Sequence, residues 1–362
     1  MAMPTELPTE LPTELPTELP EGAAAGSPAR VSVIMPVRQE GPGLRDVLAA
    51  VAGQDCPLID RIVVALAPSD DGTADVVAEW VRRDPRFLVL PNPEGIVSTG
   101  LNRALTAVAS GYVVRIDGHC LVPSDYVSRL LATAGRTGAD CTGPRLRTVG
   151  STRTQRAIAA AMSSPFGVGG SRFRTSTESG YVDTVAFGLY DRELLLRLGG
   201  FRPELVRNQD DELNARLRRA GGTIYMDADL CVDYHPRASL RALWRQYYEY
   251  GYWRTVTARV FGDHLGLRQA VPGLFVGGLA AGAGAAALGQ PVPLLAALAA
   301  YALVLLLMIL QTARRTSDAR TALLSGPAAV VLHLSYGCGL WRSLLRPGAL
   351  TRSRLRAQVT RA

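Results

Sequence analysis

Two stretches of the chain combine residue types that could do chemistry. Asp117 and His119 flank Gly118 where the apolar run 112–117 ends. On a strand, residues two apart face the same way, so both side chains could meet one ligand while Gly118 lets it come close. A satisfied turn histidine is the alternative reading of His119. The pattern indicates a binding site at the end of a buried strand.

The second stretch is an acidic cluster, Asp210, Asp211 and Glu212, which opens a predicted helix ending in a double glycine. Acidic residues in a first turn complement the helix dipole, so capping could account for part of the cluster. Three adjacent acids exceed what one cap requires. At a helix start we expect the pKa of such a carboxylate to be lowered rather than raised.

Alternating apolar and helical segments must position both stretches. They predict a mostly parallel α/β sheet, whose strands end at one edge, where such folds bind ligands. The edge receives residues 36–40, 69–72 and 117–119. The predicted strands are 31–37, 59–66, 87–92 and 112–117, and the predicted helices are 43–54, 73–84 and 97–110.

The chain divides into three parts by composition. Residues 1–30 carry four tandem Pro-Thr-Glu-Leu copies and are predicted to be a disordered tail without chemistry. Residues 31–262 form the predicted α/β domain, ending in an interfacial helix at 240–262 that mixes aromatics with arginines. Residues 263–362 form the membrane region and a basic tail.

The membrane region contains two uncharged runs, 271–289 and 291–310, each about long enough to cross a bilayer. A third run, 321–341, either crosses or lies in the interface. The basic segments 313–320 and 342–361 would both be cytoplasmic under the positive-inside rule, which requires two spans. The catalytic domain is then cytoplasmic, on the inner face of the plasma membrane.

Charge and cysteine content narrow the partners. The chain of 362 residues has a formal net charge of +7, which suits phosphate, a nucleotide or an anionic membrane face. Its five cysteines have no CxxC pair, so neither a zinc site nor a disulfide framework is predicted. We expect no nucleic-acid partner.

A series of motifs in fixed order resembles glycosyltransferase family 2, especially its membrane-attached succinoglycan-type members. The resemblance covers about residues 31–262. It implies a GT-A fold, a nucleotide-diphosphate sugar donor, usually UDP-linked, a divalent metal, and inverting transfer to a hydroxyl. The motifs are "VSVIMPVRQE", "SDDGT", "NPEGIVSTGLNRAL", "RIDGH", "VAFGLYDRELLLRLGGF", "NQDDELNARLRRAGG" and "YGYWR".

The resemblance places the metal at Asp117. The family has an Asp-x-Asp motif here, and this chain departs from it with His119 in place of the second aspartate. A divalent cation would neutralise the departing diphosphate, and an imidazole suits Mn²⁺ somewhat better than Mg²⁺. His235 matches the place of a further metal or diphosphate ligand in related transferases, although a structural role is its alternative.

The resemblance also assigns the catalytic base. The family has a Glu-Asp pair after its Gly-Gly-Phe motif, which aligns with Gln209 and Asp210 here. Asp210 is therefore the predicted base for the acceptor hydroxyl, and a one-residue alignment error would substitute Asp211. A general base is required because an alcohol is a poor nucleophile until its proton is removed.

Pro36, Arg38 and Glu40 lie where the family binds the base and ribose of the nucleotide. The family's aspartate pair after the second strand is replaced here by Leu66 and Ala67. Asp71, in the later "SDDGT" stretch, could serve instead, or the stretch could be a plain turn.

The "YGYWR" stretch and Gln246 resemble a further family region only loosely. Arg254 could pair with diphosphate in a bidentate fork, and Trp253 could line an acceptor channel. A membrane-interface belt is the competing reading for both.

The sequence thus predicts a membrane-anchored inverting glycosyltransferase acting on a lipid-linked or growing glycan of the cell surface. A processive polysaccharide synthase is the first alternative, although its channel would need more spans. A catalytically silent subunit of an envelope complex is the second, supported only by Leu66 and Ala67.

Overall fold

The computed structural model describes residues 30–261 and 265–345. The predicted disordered tail, apart from its last residue, and the basic tail beyond Leu345 lie outside the described residues. In chain order the elements are β1 (Val31–Val37), α1 (Leu44–Ala52), β2 (Ile59–Leu66), α2 (Thr73–Arg83), β3 (Phe87–Pro91), α3 (Val97–Thr106), β4 (Tyr112–Arg115), α4 (Tyr126–Thr137), β5 (Cys141–Thr148), α5 (Arg153–Met162), α6 (Pro165–Val168), α7 (Arg172–Thr175), β6 (Gly180–Tyr181), β7 (Leu189–Asp191), α8 (Arg192–Arg197), α9 (Gln209–Arg219), β8 (Ile224–Tyr234), α10 (Leu240–Phe261), α11 (Leu267–Ala287), α12 (Val292–Thr316) and α13 (Ala319–Leu345).

The described residues form two compact units. Unit one comprises residues 30–131 and 187–201, and unit two comprises the rest. In unit one the strand order is β3-β2-β1-β4-β7, with β7 antiparallel to β4 and the other pairs parallel. Every residue of β1 is buried, as expected for a strand covered on both faces of a parallel sheet. The predicted α/β class with a mostly parallel sheet is confirmed.

The predicted strand at 112–117 is too long by two residues, because β4 ends at Arg115. Its last parallel pairing joins Arg115 to Ile34 of β1. Beyond it, residues 117–120 form a turn in which the Cys120 amide donates to the Asp117 carbonyl at 2.9 Å. The carboxylate and the imidazole therefore lie in a turn at the sheet edge rather than on a strand.

Unit two contains β5 paired parallel to β8 and β6 paired antiparallel to β8. The helix α9, which opens with the acidic cluster, belongs to this unit, as do α5, α10 and the apolar helices at the C-terminus. The predicted interfacial helix at 240–262 is α10. Each of the five cysteines is an unbridged thiol.

Within the described residues, three helices, α11, α12 and α13, are long and apolar enough to cross a membrane. They correspond to the three predicted runs. Only 11% and 6% of the most apolar stretches of α11 and α12 are buried inside the protein, whereas half of that of α13 is. The first two therefore present most of their surface outward, and α13 does not.

Close helix packing explains the burial of α13. A Cβ atom on Gly251 of α10 would lie 2.0 Å from the Tyr336 carbonyl oxygen, and one on Gly339 of α13 would lie 2.0 Å from the Tyr248 carbonyl oxygen. Only glycine allows two helix backbones to approach this closely. The two helices are therefore in backbone contact over this stretch.

Candidate active site

The first group of candidate residues, which we call the strand-end cluster, lies in unit one and comprises Arg38, Glu40, Asp71, Asp117 and His119. Asp117 makes a two-pronged ion pair with Arg115, with Nε–Oδ1 and Nη2–Oδ2 distances of 2.8 and 3.1 Å. Arg115 is 5% exposed, and it lies two residues before Asp117 at the end of β4. Asp117 and His119 were expected to meet one ligand, which stays a prediction, and the structure adds Arg115 as the ion-pair partner of Asp117.

His119 pairs with a different carboxylate. Its Nδ1 atom lies 3.2 Å from Glu40 Oε1, and the imidazole is mostly exposed. The Glu40 side chain also crosses Gly118, where a Cβ atom would lie 2.9 Å from Glu40 Cγ. Gly118 therefore permits the close approach of the Glu40 side chain, and the predicted approach of a ligand stays a prediction. The carboxylates of Asp117 and Glu40 and the imidazole of His119 therefore all lie at the turn of residues 117–120.

Asp71 is engaged in the turn before α2. Its Oδ1 atom accepts hydrogen bonds from the Thr73 hydroxyl at 2.6 Å and the Thr73 amide at 3.2 Å. The Thr73 hydroxyl bond is the main cause that lowers the pKa of Asp71. Thr73 Oγ1 in turn accepts from the Glu40 and Gly41 amides, both at 3.0 Å. Asp71 thus stabilises the backbone that presents Glu40, which favours the turn reading of "SDDGT".

The remaining predicted nucleotide contacts lie at the same edge of unit one. Arg38 is exposed, and its Nη1 atom donates to the Gly95 carbonyl at 3.2 Å. Pro36 is buried within β1, in register with Ala65 of β2. Ala67, in place of a family aspartate, is also buried. This edge offers arginine and glutamate side chains beside an apolar strand end.

The second group, the helix-start cluster, lies in unit two and comprises Thr184, Asp210, Asp211, Arg254 and Arg268. Its acids are presented by the first turn of α9, which follows Asn208 in the left-handed conformation (φ +60°). Asparagine adopts this conformation more readily than most residues. The Asp210 carboxylate accepts a hydrogen bond from the Asp211 amide at 3.0 Å. The left-handed backbone of Asn208 thus precedes the start of α9, and both aspartates lie in the first turn of this helix.

Glu212, the third acid of the cluster in the sequence, has a structural role. It is fully buried and pairs with Arg202 at 3.2 Å and with Arg216 at 2.6 Å. Two arginines compensate its charge, as burial of a carboxylate requires. Of the three adjacent acids, only Asp210 and Asp211 are therefore candidates for chemistry.

Asp211 lies in the most demanding electrostatic environment of the cluster. Burial raises its pKa to about 6, and the negative charge of Asp210 adds to the rise. The Thr184 hydroxyl donates to Asp211 Oδ1 at 3.0 Å, and the Asn214 amide donates to Thr184 Oγ1 at 2.8 Å. The prediction that a helix-start carboxylate has a lowered pKa is wrong for Asp211, because desolvation outweighs the helix dipole.

Two arginines oppose this rise in the pKa of Asp211, first Arg254 and then Arg268. Arg254 is 5% exposed, so it does not extend into an interfacial belt. Arg268 is the second residue of α11, and its Nη2 atom lies 3.1 Å from Asp183 Oδ2. The first candidate membrane span therefore begins with a cation whose charge lowers the pKa of Asp211.

Three further predicted residues of unit two, Gln246, Trp253 and His235, are not members of the helix-start cluster. Gln246 donates to the hydroxyls of Tyr234 and Tyr250, both at 3.0 Å, and stabilises a buried tyrosine network. Trp253 packs edge-on against Tyr252. His235 is exposed directly after β8.

Sequence reasoning missed Arg115, Thr184 and Arg268. Residues two apart on a strand face the same way, and this rule was applied to Asp117 and His119 alone. Applied to Asp117 and Arg115, it would have identified Arg115. Thr184 lies in an irregular segment, and Arg268 lies at the start of an apolar helix. Neither position carries a periodic signal that links it to Asp211.

The residues of the strand-end cluster fit a divalent cation by donor type. Carboxylate oxygens and an imidazole are ligands of Mn²⁺ and Mg²⁺. Each Asp117 oxygen has a second lone pair beyond the one that accepts from Arg115. Among residues 30–261 and 265–345, no three His, Cys, Asp or Glu side chains are already grouped to hold a metal ion. The predicted set of Asp117, His119 and His235 stays a prediction.

Comparison with solved structures identifies the fold. The chain superposes on a mannosyltransferase from Pyrobaculum calidifontis, solved in complex with GDP-Man and Mn²⁺, with a TM-score of 0.55 at 19% identity, covering 87% of each chain. This likeness shows the fold alone. It is the GT-A-like fold of enzymes that transfer sugars, as the sequence resemblance implied.

Comparison of sequences identifies the family. Residues 32–199 match the model of glycosyl transferase family 2. The chain is 33% identical over 318 residues to the succinoglycan biosynthesis protein ExoA of Rhizobium meliloti (strain 1021), covering 86% of this chain and 94% of that protein. The chain therefore belongs to glycosyltransferase family 2, and it is a glycosyltransferase.

A more distant relative is an enzyme of Methanococcus voltae. Its name is dolichyl N-acetyl-alpha-D-glucosaminyl phosphate 3-beta-D-2,3-diacetamido-2,3-dideoxy-beta-D-glucuronosyltransferase. It is 23% identical over 231 residues, covering 61% of this chain and 71% of that protein.

Proposed function

We propose that the protein transfers a sugar from a nucleotide-diphosphate donor to the saccharide of a lipid-linked acceptor, with inversion, in cell-surface glycan synthesis. One observation carries the proposal. The pKa of Asp211 is raised to about 6, and the charge of Arg268 opposes this rise. Arg268 lies on the first turn of α11, a helix able to cross a membrane. The proposed base, Asp210, thus has a neighbouring carboxylate whose pKa lies near neutral pH and is influenced by a residue that begins a candidate membrane span.

The donor belongs to the strand-end cluster. Arg38 and Glu40 contact the nucleotide, and Asp71 stabilises the loop that presents Glu40. A divalent cation held by Asp117 and His119, with His235 as a further ligand, would supply Lewis-acid stabilisation of the leaving diphosphate. The family resemblance favours a UDP-sugar, and the replacement of acidic residues by Leu66 and Ala67 makes a GDP-sugar the first alternative to test.

The acceptor proton goes to the aspartate pair. Asp210 accepts it as the hydroxyl oxygen bonds to the sugar, and Asp211 keeps negative charge beside it above about pH 6. Protonation of Asp211 below about pH 6 removes the negative charge beside Asp210 that attracts the acceptor proton. Thr184 and Asn214 stabilise this arrangement by fixing the Asp211 oxygen.

The relatives' names support the acceptor class. The name of the Methanococcus voltae enzyme contains a dolichyl-phosphate-linked sugar. The Rhizobium meliloti relative is named for succinoglycan biosynthesis. A lipid carrier fits a site whose Arg268 begins a membrane-type helix.

We further propose that α11 and α12 cross the plasma membrane and that α13 lies against α10 without crossing. The burial of half of the most apolar stretch of α13 inside the protein supports this arrangement. Residues 313–320 and 342–361, both rich in arginine, then face the cytoplasm with the catalytic part. A cysteine introduced after Leu345 should resist membrane-impermeant maleimide added to intact cells. Labelling there would establish a third crossing.

Donor screening tests the function. Membranes containing the protein are incubated with radiolabelled UDP- or GDP-sugars, and the lipid extract is counted. We expect one sugar to enter the lipid fraction as a single addition that requires a divalent cation. A product that lengthens with time would favour the processive synthase. No transfer from any donor, together with no nucleotide binding, would favour the silent subunit.

A further inference from the structure

A cavity of about 660 Å³ lies within unit two, away from the residues assigned to the helix-start cluster. Its walls come from the end of β5, one face of α5, the last turns of α12 and the first turn of α13. The side chains that concern the argument are Arg147, Val149, Arg156, Ala159, Ala160 and Arg315. Arginines and small apolar residues therefore share one cavity.

The cavity lies at the membrane surface if α11 and α12 cross and return, which rests on the proposed topology. Because the chain crosses twice between residues 267 and 316, the end of α12 is back on the side of the catalytic part. A direct contact supports this placement, since the Ser164 hydroxyl donates to Gln311 Oε1 at 2.8 Å. The cavity thus opens where lipid headgroups are found.

The positive charges of the cavity differ in how far they are already compensated. Arg147 is paired with Asp233 at 2.7 Å, and Arg156 donates to the Ser151 carbonyl at 2.9 Å. Arg315 is exposed, and within the described residues it makes no hydrogen bond or ion pair. Among the described residues, no carboxylate therefore forms an ion pair with Arg156 or Arg315.

The one acidic lining residue is already engaged. Asp318 Oδ2 accepts from the Thr321 hydroxyl at 2.7 Å, and Asp318 Oδ1 accepts from the Arg320 and Thr321 amides at 3.0 and 3.2 Å. Its carboxylate caps α13 and lies near a further cation, Arg153. The cavity consequently retains a net positive character.

We propose that this cavity binds the phosphate headgroup of an anionic membrane lipid. The planar, permanently charged guanidinium groups of Arg156 and Arg315 match phosphate oxygens by geometry and charge. Val149, Ala159 and Ala160 provide an apolar wall for the glycerol and the first acyl carbons. A soluble phosphate would use only the arginines, whereas a lipid would use both parts of the lining.

The experiment is equilibrium binding of fluorescent phosphatidylglycerol to the purified full-length protein in neutral detergent. Fluorescent phosphatidylcholine and competing inorganic phosphate are the comparison arms. We expect saturable binding of phosphatidylglycerol, at least fivefold weaker binding of phosphatidylcholine, and little competition by millimolar inorganic phosphate. The measurement needs neither donor nor acceptor, so its failure would leave the proposed transferase reaction untouched.

The variants provide a matched control. Arg315→Gln and Arg156→Gln should each weaken phosphatidylglycerol binding about fivefold, the effect of one cation near an anionic lipid surface. Arg314→Gln removes the adjacent exposed arginine of α12, which does not line the cavity, and should bind as the wild type does. Equal loss in all three variants would show general surface charge and overturn the site, as would no loss in the first two. Full competition by inorganic phosphate would overturn the lipid assignment.

Discussion

The strand-end and helix-start clusters both contain aspartates, but they compensate charge in different ways. In the strand-end cluster, Asp117 is paired on both oxygens by Arg115, and Asp71 has its pKa lowered by Thr73. In the helix-start cluster, burial and the charge of Asp210 raise the pKa of Asp211 to about 6 despite two arginines. One cluster keeps carboxylates charged, and the other keeps a carboxylate close to protonation.

This difference matches the two ends of a sugar transfer. Permanently charged carboxylates suit the binding of a cation and the positioning of a diphosphate. An aspartate pair in which Asp211 has a pKa of about 6 suits the removal of a proton. We therefore expect substitutions in the two clusters to separate donor binding from turnover.

The largest effect is expected at the aspartate pair. Asp210→Asn preserves shape but cannot accept a proton, and loss of a general base reduces the rate by roughly 10²–10⁴. The transfer rate and the nucleotide affinity should be measured together, with Asp211→Asn in parallel. Near-normal turnover in Asp210→Asn with collapse in Asp211→Asn would move the base by one residue. Normal turnover in both would refute the assignment.

At the strand-end cluster, His119→Ala should weaken metal-dependent donor binding and turnover by about 10- to 100-fold, in the range seen when groups around a metal are removed. His119→Asp restores the family's Asp-x-Asp pattern and should retain activity. Turnover is measured across a Mn²⁺ and Mg²⁺ titration. If His119→Ala has the metal dependence of the wild type, His119 is only a partner of Glu40.

The raised pKa of Asp211 also predicts a stability effect. A carboxyl whose pKa is higher in the folded than in the unfolded protein destabilises the fold above the folded pKa, and this penalty disappears as pH falls below about 4. Asp211→Asn should therefore stabilise the protein by about 1–2 kcal/mol at pH 7.5, after allowance for its partial exposure. At pH 4 the gain should vanish. Thermal unfolding at both pH values checks this, and destabilisation at pH 7.5 would contradict it.

The smallest expected effect is a displacement of the pH profile. The transfer rate should fall as pH decreases through about 6, where Asp211 gains its proton. Because Arg268 lowers this pKa, Arg268→Gln should move the acidic limb to higher pH, while Arg268→Lys should keep it near the wild-type position. If the transfer rate of Arg268→Gln falls at the same pH as that of the wild type, Arg268 of α11 does not influence the proton transfer.

The sequence predicted the sheet better than the contacts within the site. The bounds of β1 and β2 match the predicted strands, because both are apolar runs ended by polar loops. The strand at 112–117 was too long, because Ile116 continues the apolar run after the pairing of β4 has ended. The pattern of apolar residues indicates which residues are buried, and Ile116 is buried although it lies beyond the end of β4.

Contacts within the site depend on residues distant in the chain. The Asp211 carboxylate accepts a hydrogen bond from Thr184, which lies 27 positions away in the sequence. Its pKa is lowered by Arg268, which lies on a helix long and apolar enough to cross a membrane. No spacing rule connects these residues. The ordered motifs identified the aspartates, but only the folded chain gives the charge environment that distinguishes Asp211 from Glu212.

The central claim, that the two clusters divide donor binding from proton removal, is tested most directly by calorimetric titration of UDP and GDP in the presence of Mn²⁺. The titration compares the wild type, Asp117→Asn and Asp210→Asn. We predict that Asp117→Asn weakens metal-dependent nucleotide binding at least tenfold and that Asp210→Asn binds as the wild type does. Normal binding in Asp117→Asn, or equal weakening in both variants, would contradict the division.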